Sequence, residues 1–118
     1  MQYLLLIYRK ETDWATRPEA ERNEIFQAYM SFAQGIRSSG NYVAGEALQP
    51  VATATTVRVK DGKTLTTDGP FAETREQLGG FFLIEAKNLD EATGIAARVP
   101  DAKGGSIEIR PIMPTPRV

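Results

Sequence analysis

The stretch QYLLLIY at residues 2–8 carries apolar side chains on both of its faces. Its residues alternate between two apolar sets, as expected of a β-strand with no polar side. The stretch FFLIEA at residues 81–86 has a similar apolar density and predicts a central strand. Strands of this kind need cover on both sides. The fold therefore has to protect both faces of its central strands from water.

Two helices are predicted around these strands. The first extends from about residue 18 to residue 39, with Ile25, Tyr29, Phe32 and Ile36 at helical spacing. Thr16 and Glu19 fit a capping box, Phe26, Met30 and Ala33 lie beside the apolar stripe, and Gly40 fits a left-handed cap. Asn88 is the expected N-cap of the second helix, and Pro100 ends it. The predicted buried residues of this helix are Leu89, Ala92, Ala96 and Val99.

Further strands are predicted at residues 42–48, 55–60, 63–67 and 106–110. The dipeptide Asp61-Gly62 between two of them indicates a two-residue hairpin turn. The element order predicts an α+β fold of the ferredoxin-like βαββαβ type with an inserted β-hairpin, in a single domain of residues 1–118. Right-handed crossovers place both helices on one face of the sheet. The other face is left bare, which favours a homodimer with two sheets packed face to face.

Composition narrows the classes of function. The chain has 118 residues, 42% of them hydrophobic and 25% charged, which is typical of one globular domain. The net charge of −1 comes from interspersed acids and bases, so nucleic acid and anionic membranes are poor partners. No run of about 18 apolar residues exists. The apolar run at the start is short and lacks a basic leader, so a cytoplasmic protein is expected.

The chain contains no histidine and no cysteine. Zinc sites of the Cys/His type and Ser-His-Asp or Cys-His catalysis are therefore excluded. A general acid or base has to be a carboxylate, lysine or tyrosine whose pKa is moved by its surroundings. Because no phosphate loop or dinucleotide fingerprint is present either, the sequence predicts no cofactor and no metal.

The candidate site lies in TDGPFAETREQLGG at residues 67–80, which combines four charged residues with three glycines and a proline between two strand-like runs. Asp68 is either a catalytic base or ligand acceptor, or an acceptor within its own turn. Arg75 either binds an anionic ligand or pairs with Glu73. Gln77 can donate a hydrogen bond to a ligand oxygen.

Two more candidates lie outside this segment. Glu46 is a lone acid on a predicted strand, either buried as a general acid or exposed at a sheet edge. Arg110 and Glu108 alternate with Ile107 and Ile109, so they face the cleft if the isoleucines pack under the helices.

Three segments together resemble the YCII-related proteins, in the branch named after its Asp-Gly-Pro-Phe motif. They are YLLLIY at residues 3–8, DGPFAET at residues 68–74 and GGSIEIRP at residues 104–111. The likeness extends from residue 1 to about residue 113. It implies a dimeric α+β barrel with a cleft, no established activity, and a link to sigma factors of the extracytoplasmic-function class. The other branch carries a His-Asp pair proposed to be catalytic, which a chain without histidine cannot have.

Three functions follow as alternatives. The first is a homodimer that binds a small polar or anionic ligand near the Asp-Gly-Pro-Phe turn. The second is a lyase- or isomerase-like enzyme in which Asp68 or Glu46 is the acid or base and Arg75 holds the substrate. The third is a regulatory partner of a sigma factor, which predicts an exposed apolar patch beyond the dimer contact.

Overall fold

The sheet at the centre of the molecule combines strands that are distant in sequence. The computed structural model describes residues 1–11 and 16–116, so the part of the predicted polar loop that carries Trp14 lies outside the described residues. The elements in chain order are β1 (Gln2–Arg9), α1 (Glu19–Ser38), β2 (Tyr42–Ala47), β3 (Thr55–Lys60), β4 (Lys63–Asp68), β5 (Gln77–Glu85), α2 (Leu89–Ala96) and β6 (Ser106–Pro111). Among the helices described, none is long and apolar enough to cross a membrane.

The main sheet has four strands in the order β2-β5-β1-β6, and each neighbouring pair is antiparallel. This is the strand order of a ferredoxin-like fold, with β3 and β4 inserted as a separate two-stranded sheet. The α+β class, the ferredoxin-like topology and the inserted hairpin are confirmed. β1 and β5 are the two inner strands, as their apolar sequences predict.

The hydrophobic core lies between the main sheet and the two helices. Alternate residues of the inner strands are buried there, namely Tyr3, Leu5, Ile7, Phe82 and Ile84. The helices contribute Phe32, Ile36, Ala92, Ile95 and Ala96, and Val99 follows α2. The packing of Phe32 against Phe82 is edge to face, with ring centroids 5.1 Å apart. Ile107 and Ile109 of β6 pack against the same core.

The opposite face of the sheet, called here the open face, has no helix against it. Strand register places Glu46, Phe81, Leu6 and Glu108 in one row across it, and Ala44, Leu83, Leu4 and Arg110 in the next. Tyr8 and Leu78 form a paired position further along the same face. The open face is therefore apolar at its centre and charged at its two edges.

Several predicted helix details change in the structure. Pro18 is the N-cap of α1, and its side chain has no polar atom to make a capping bond. The helix therefore begins two residues later than the capping box of Thr16 and Glu19 predicts. Gly40 follows the helix with a φ of 80°, as predicted. Phe26 and Met30 are exposed and not part of the core. In α2, Leu89 is 53% exposed, so its predicted burial is wrong, and Ile95, which the prediction did not include, is buried.

The inserted hairpin, β3 with β4, projects from the rest of the molecule. Its turn residues Asp61 and Gly62 have φ angles of 52° and 74°, as a type I′ turn requires. All of its strand residues except Thr56 are exposed. The radius of gyration is 16.5 Å, against about 13 Å for a compact domain of this length. We call this hairpin the arm.

Candidate functional site

A groove lies where the base of the arm meets the open face of the sheet. Its volume is about 480 Å³. Tyr8 and Leu78 contribute from the open face, and the chain segments on either side of the arm form the walls. The wall residues are Leu48, Gln49, Pro50, Val51, Thr53 and Ala54 before the arm, and Pro70, Phe71, Ala72, Thr74 and Gln77 after it. The predicted Asp-Gly-Pro-Phe turn thus borders a concave surface.

The backbone of the turn is hydrogen-bonded to both the strand β3 and the residue before it, at the base of the arm. The Gly69 amide donates to the Ala54 carbonyl at 2.7 Å, and the Thr56 hydroxyl donates to the Gly69 carbonyl at 2.9 Å. Phe71 is 75% exposed, and its ring centroid lies 5.0 Å from the Arg58 guanidinium carbon. The turn therefore fixes the arm to the sheet and holds an aromatic ring at the groove wall.

The two carboxylates predicted as acid or base do not line the groove. Asp68 ends β4 opposite Thr55, is exposed, and makes no side-chain hydrogen bond within residues 1–11 and 16–116. Glu46 lies on edge strand β2, on the open face, and is exposed. Both side chains are accessible to water in the protomer, and the structure does not bring them together at the groove.

Glu73 and Arg75 are exposed on the loop between β4 and β5. Neither forms an ion pair with any other described residue. Their neighbour Glu76 accepts a hydrogen bond from the Ser106 hydroxyl at 2.7 Å, which ties this loop to β6. The loop itself is shorter than the sequence suggests, because β4 extends to Asp68 and β5 begins at Gln77.

Gln77 is the predicted site residue that lines the groove. Its amide nitrogen donates to the Thr74 carbonyl at 2.8 Å, and its amide oxygen accepts from the Glu11 backbone at 3.0 Å. Both ends of the side chain are therefore engaged in holding the loop. In this arrangement Gln77 shapes the groove wall.

Arg110 lies away from the groove, at the β6 edge of the open face. Its Nε donates to Glu108 Oε2 at 2.9 Å, and the two side chains form an ion pair. Because Ile107 and Ile109 pack against the core, Glu108 and Arg110 lie on the open face. That this pair faces a ligand-binding cleft stays a prediction. None of the described residues forms a group of three or more carboxylates placed to share a metal ion.

Sequence reasoning missed a second polar cluster, at the end of β1. Arg9 Nη1 lies 3.0 Å from Asp101 Oδ2, and the Tyr29 hydroxyl donates to the same carboxylate. Burial, together with this hydrogen bond, raises the pKa of Tyr29 above its ordinary value of 10.0. The three residues are 20 or more positions apart in sequence, and no local pattern signals their contact.

The fold defines a class of protein. The protomer has the α+β architecture of the dimeric α+β barrel fold. It is similar to the solved structure of 5-chloro-2-hydroxyhydroquinone dehydrochlorinase (TftG) from Burkholderia phenoliruptrix AC1100, in complex with 2,5-dihydroxybenzoquinone. The TM-score is 0.50 at 17% identity, and the alignment covers 96% of this chain and 94% of the other. At that identity the similarity concerns the fold.

The family follows from sequence comparison. The family model of the YCII-related domain matches residues 1–116. An uncharacterised protein of Rhizobium meliloti (strain 1021) is 34% identical over 114 residues, covering 95% of this chain and 92% of the relative. The chain therefore belongs to the YCII-related domain family.

Proposed function

We propose that this protein is a homodimer that binds a small, largely apolar molecule in the groove beside the Asp-Gly-Pro-Phe turn. The observation that carries the proposal is the position of the groove, which extends from the turn onto the open face of the sheet. A binding site of this kind is concave and mostly apolar, with a few polar groups that orient the ligand.

The lining indicates the class of ligand. Leucine, valine, proline, alanine and phenylalanine side chains form most of it, and the described polar side chains are those of tyrosine, threonine and glutamine. Among residues 1–11 and 16–116, no lysine, arginine or carboxylate lines the groove. A flat apolar body with a hydrogen-bonding group fits such a lining better than a strongly charged anion does. The predicted anion-binding role of Arg75 therefore gains no support from the groove.

The same lining favours binding over catalysis. Proton transfer needs an acid or base within hydrogen-bond reach of the reacting atom. Asp68 and Glu46 do not line the groove, and of the described lining residues only Tyr8 has an ionisable side chain. The dehydrochlorinase of similar fold is in complex with a quinone, which is a precedent for a small ring-shaped ligand on this fold.

The open face supports the homodimer. Its centre is formed by Leu4, Leu6, Phe81 and Leu83, which are partly exposed in the protomer. Charged residues flank this centre, Glu46 on one edge and Glu108 with Arg110 on the other. An apolar centre with a polar rim is the usual anatomy of a protein interface. Covering these side chains stabilises the assembly by about 25 cal/mol per Å² of apolar surface.

A groove-filling substitution tests the binding site. Ala54→Phe places a ring in the groove, whereas Ala52→Phe adds the same ring at an exposed position that does not line it. The probe is Nile red, an uncharged dye whose fluorescence rises when it enters an apolar site. We expect Ala54→Phe to weaken probe binding about tenfold or more, equivalent to about 1.4 kcal/mol.

The control variant Ala52→Phe should bind the probe as the wild type does, with an unchanged melting temperature. Equal probe affinity in Ala54→Phe and the wild type would show that the groove is not the binding site. Sedimentation velocity on the same samples shows whether the variant still dimerises, so weaker probe binding can be distinguished from dissociation of the dimer.

A further inference from the structure

The arm exposes apolar side chains to solvent in the protomer. Leu65 and Val57 are 47% and 58% exposed, and Val59 is more exposed still. Isolated two-stranded hairpins are marginally stable in water. Backbone and hydroxyl contacts at Gly69 attach the base of the arm, and the strands beyond it extend away from the sheet. Leu65 lies on one face of the arm and Val57 and Val59 lie on the other, so each face exposes apolar side chains that a partner surface can cover.

The two faces of the arm differ in what they adjoin. Register pairs Arg58 with Leu65, so both lie on one face, and Val57 lies on the other with Thr66. The Arg58 guanidinium contacts the ring of Phe71, and Phe71 lines the groove. The face that carries Leu65 is thus continuous with the groove wall, whereas the face that carries Val57 is turned away from it.

The groove also connects the arm to the open face. Tyr8 and Leu78 belong to the open face and line the groove together with the residues at the base of the arm. The base of the arm therefore lies on the side of the sheet that carries the open face. A molecule that covers the open face up to Tyr8 therefore also reaches the base of the arm.

The size of the open face indicates that the sheet alone gives a small interface. Its strands have between 6 and 9 residues. At about 4.8 Å between strands and about 3.4 Å per residue, the footprint is roughly 500 Å². A stable interface buries about 800 Å² per partner. The arm is the adjoining element that can supply the remaining area.

We propose that the arm packs, through its Leu65 face, against a second copy of this chain and so closes the groove at the dimer interface. This inference rests on the proposed homodimer and adds to it a specific contact and a shared binding site. In a two-fold dimer each arm contacts the other copy in the same way, so the contact is made twice.

The absence of cysteine from the sequence makes a direct test possible, because an introduced thiol is the only one in the chain. Leu65→Cys and Val57→Cys place single thiols on the two faces of the arm, at positions of similar exposure in the protomer. The rate of alkylation by iodoacetamide is measured at high and low protein concentration, with sedimentation velocity to determine the fraction of dimer.

We expect the Leu65→Cys thiol to react at least about tenfold more slowly in the dimer than in the diluted monomer, a difference of about 1.4 kcal/mol in local accessibility. The Val57→Cys thiol should react at the same rate in both. If the protein dimerises and the Leu65→Cys thiol stays fully reactive, the proposed contact between the arm and the second copy is excluded. The proposed homodimer is not affected by that result. If the wild type is a monomer throughout, the proposed dimer fails, and the arm contact fails with it.

Discussion

Arg9, Asp101 and Tyr29 show how single residues far apart in sequence fix the end of the central strand. The Asp101 carboxylate accepts hydrogen bonds from both the Arg9 guanidinium and the Tyr29 hydroxyl, so it links β1, α1 and the segment after α2. Gly79 makes room for Arg9, since a Cβ atom there would lie 2.8 Å from the guanidinium carbon. This partly buried network is worth more than an exposed ion pair, because water screens it less.

We expect Tyr29→Phe to lower the free energy of unfolding by about 1–3 kcal/mol at neutral pH, because a hydrogen bond to a charged group is lost. Tyr42→Phe is the matched control, since the Tyr42 hydroxyl makes no hydrogen bond within the described part of the chain. Urea denaturation followed by circular dichroism measures both variants. An equal loss in the two variants would assign the effect to the removal of any tyrosine hydroxyl and not to the Asp101 contact.

The raised pKa of Tyr29 gives this prediction a pH dependence. The folded protein retains the Tyr29 proton above pH 10, where the unfolded chain has released it. The stabilisation is therefore complete below pH 10 and falls by up to about 1.4 kcal/mol per pH unit above it. The difference between wild type and Tyr29→Phe should shrink between pH 10 and pH 11. A constant difference would show that Tyr29 does not titrate with a raised pKa.

At the scale of elements, the start of α2 depends on two side chains. Asn88 Oδ1 accepts a hydrogen bond from the Glu91 amide at 2.9 Å, and Glu91 Oε1 accepts from the Lys87 amide at 3.1 Å. The Asn41 amide group also donates to Glu91 at 3.3 Å, which connects the start of α2 with the turn after α1. A helix of 8 residues depends strongly on such contacts, because few of its backbone bonds are internal.

We expect Asn88→Ala to destabilise the protein by about 1 kcal/mol, within the range of about 0.5–2 kcal/mol for a lost N-cap. Asn88→Ser retains a side-chain oxygen that can accept from the Glu91 amide and should leave most of the stability intact. The shift in urea midpoint, compared at equal m-value, measures the effect. A serine variant as unstable as the alanine variant would contradict the capping role.

At the scale of the whole molecule, the proposed homodimer assigns the contact between the two copies to the open face. Leu6→Glu places a carboxylate at the centre of this face, between Phe81 and Glu108 in their row. Burying an unpaired charge costs about 3–5 kcal/mol. We expect the dimer dissociation constant to rise by at least about a hundredfold. Sedimentation velocity over a dilution series measures it.

Leu89→Glu is the control for this prediction, because Leu89 is an equally apolar side chain that is 53% exposed on α2. It should leave the dimer intact. A wild type that is monomeric at micromolar concentration, or a Leu6→Glu variant that dimerises as the wild type does, would exclude the open face as the interface.

The link to a sigma factor stays a prediction. Phe26 and Met30 on α1 are exposed apolar residues that lie outside the open face.

Much of the fold was predictable because local signals agreed with it. Asp61-Gly62 marked the hairpin turn, Asn88 marked the start of α2, and Gly40 followed α1. The candidate site was less predictable. The Asp-Gly-Pro-Phe segment borders a groove, but of the charged and amide residues singled out, Gln77 lines it and Arg75, Glu73, Asp68, Glu46 and Arg110 do not. Charge density in a sequence does not show which way a side chain points.

The amino-acid sequence by itself determined the two-sided apolar strands, the order of the elements and the absence of histidine and cysteine chemistry, since these depend on periodicity, turn chemistry and composition alone. Tertiary structure decided the groove and the Arg9–Asp101–Tyr29 network. Both are built from residues that strand register and helix packing bring together from distant parts of the chain. Such contacts depend on the whole arrangement of the backbone, and no local stretch of sequence encodes them.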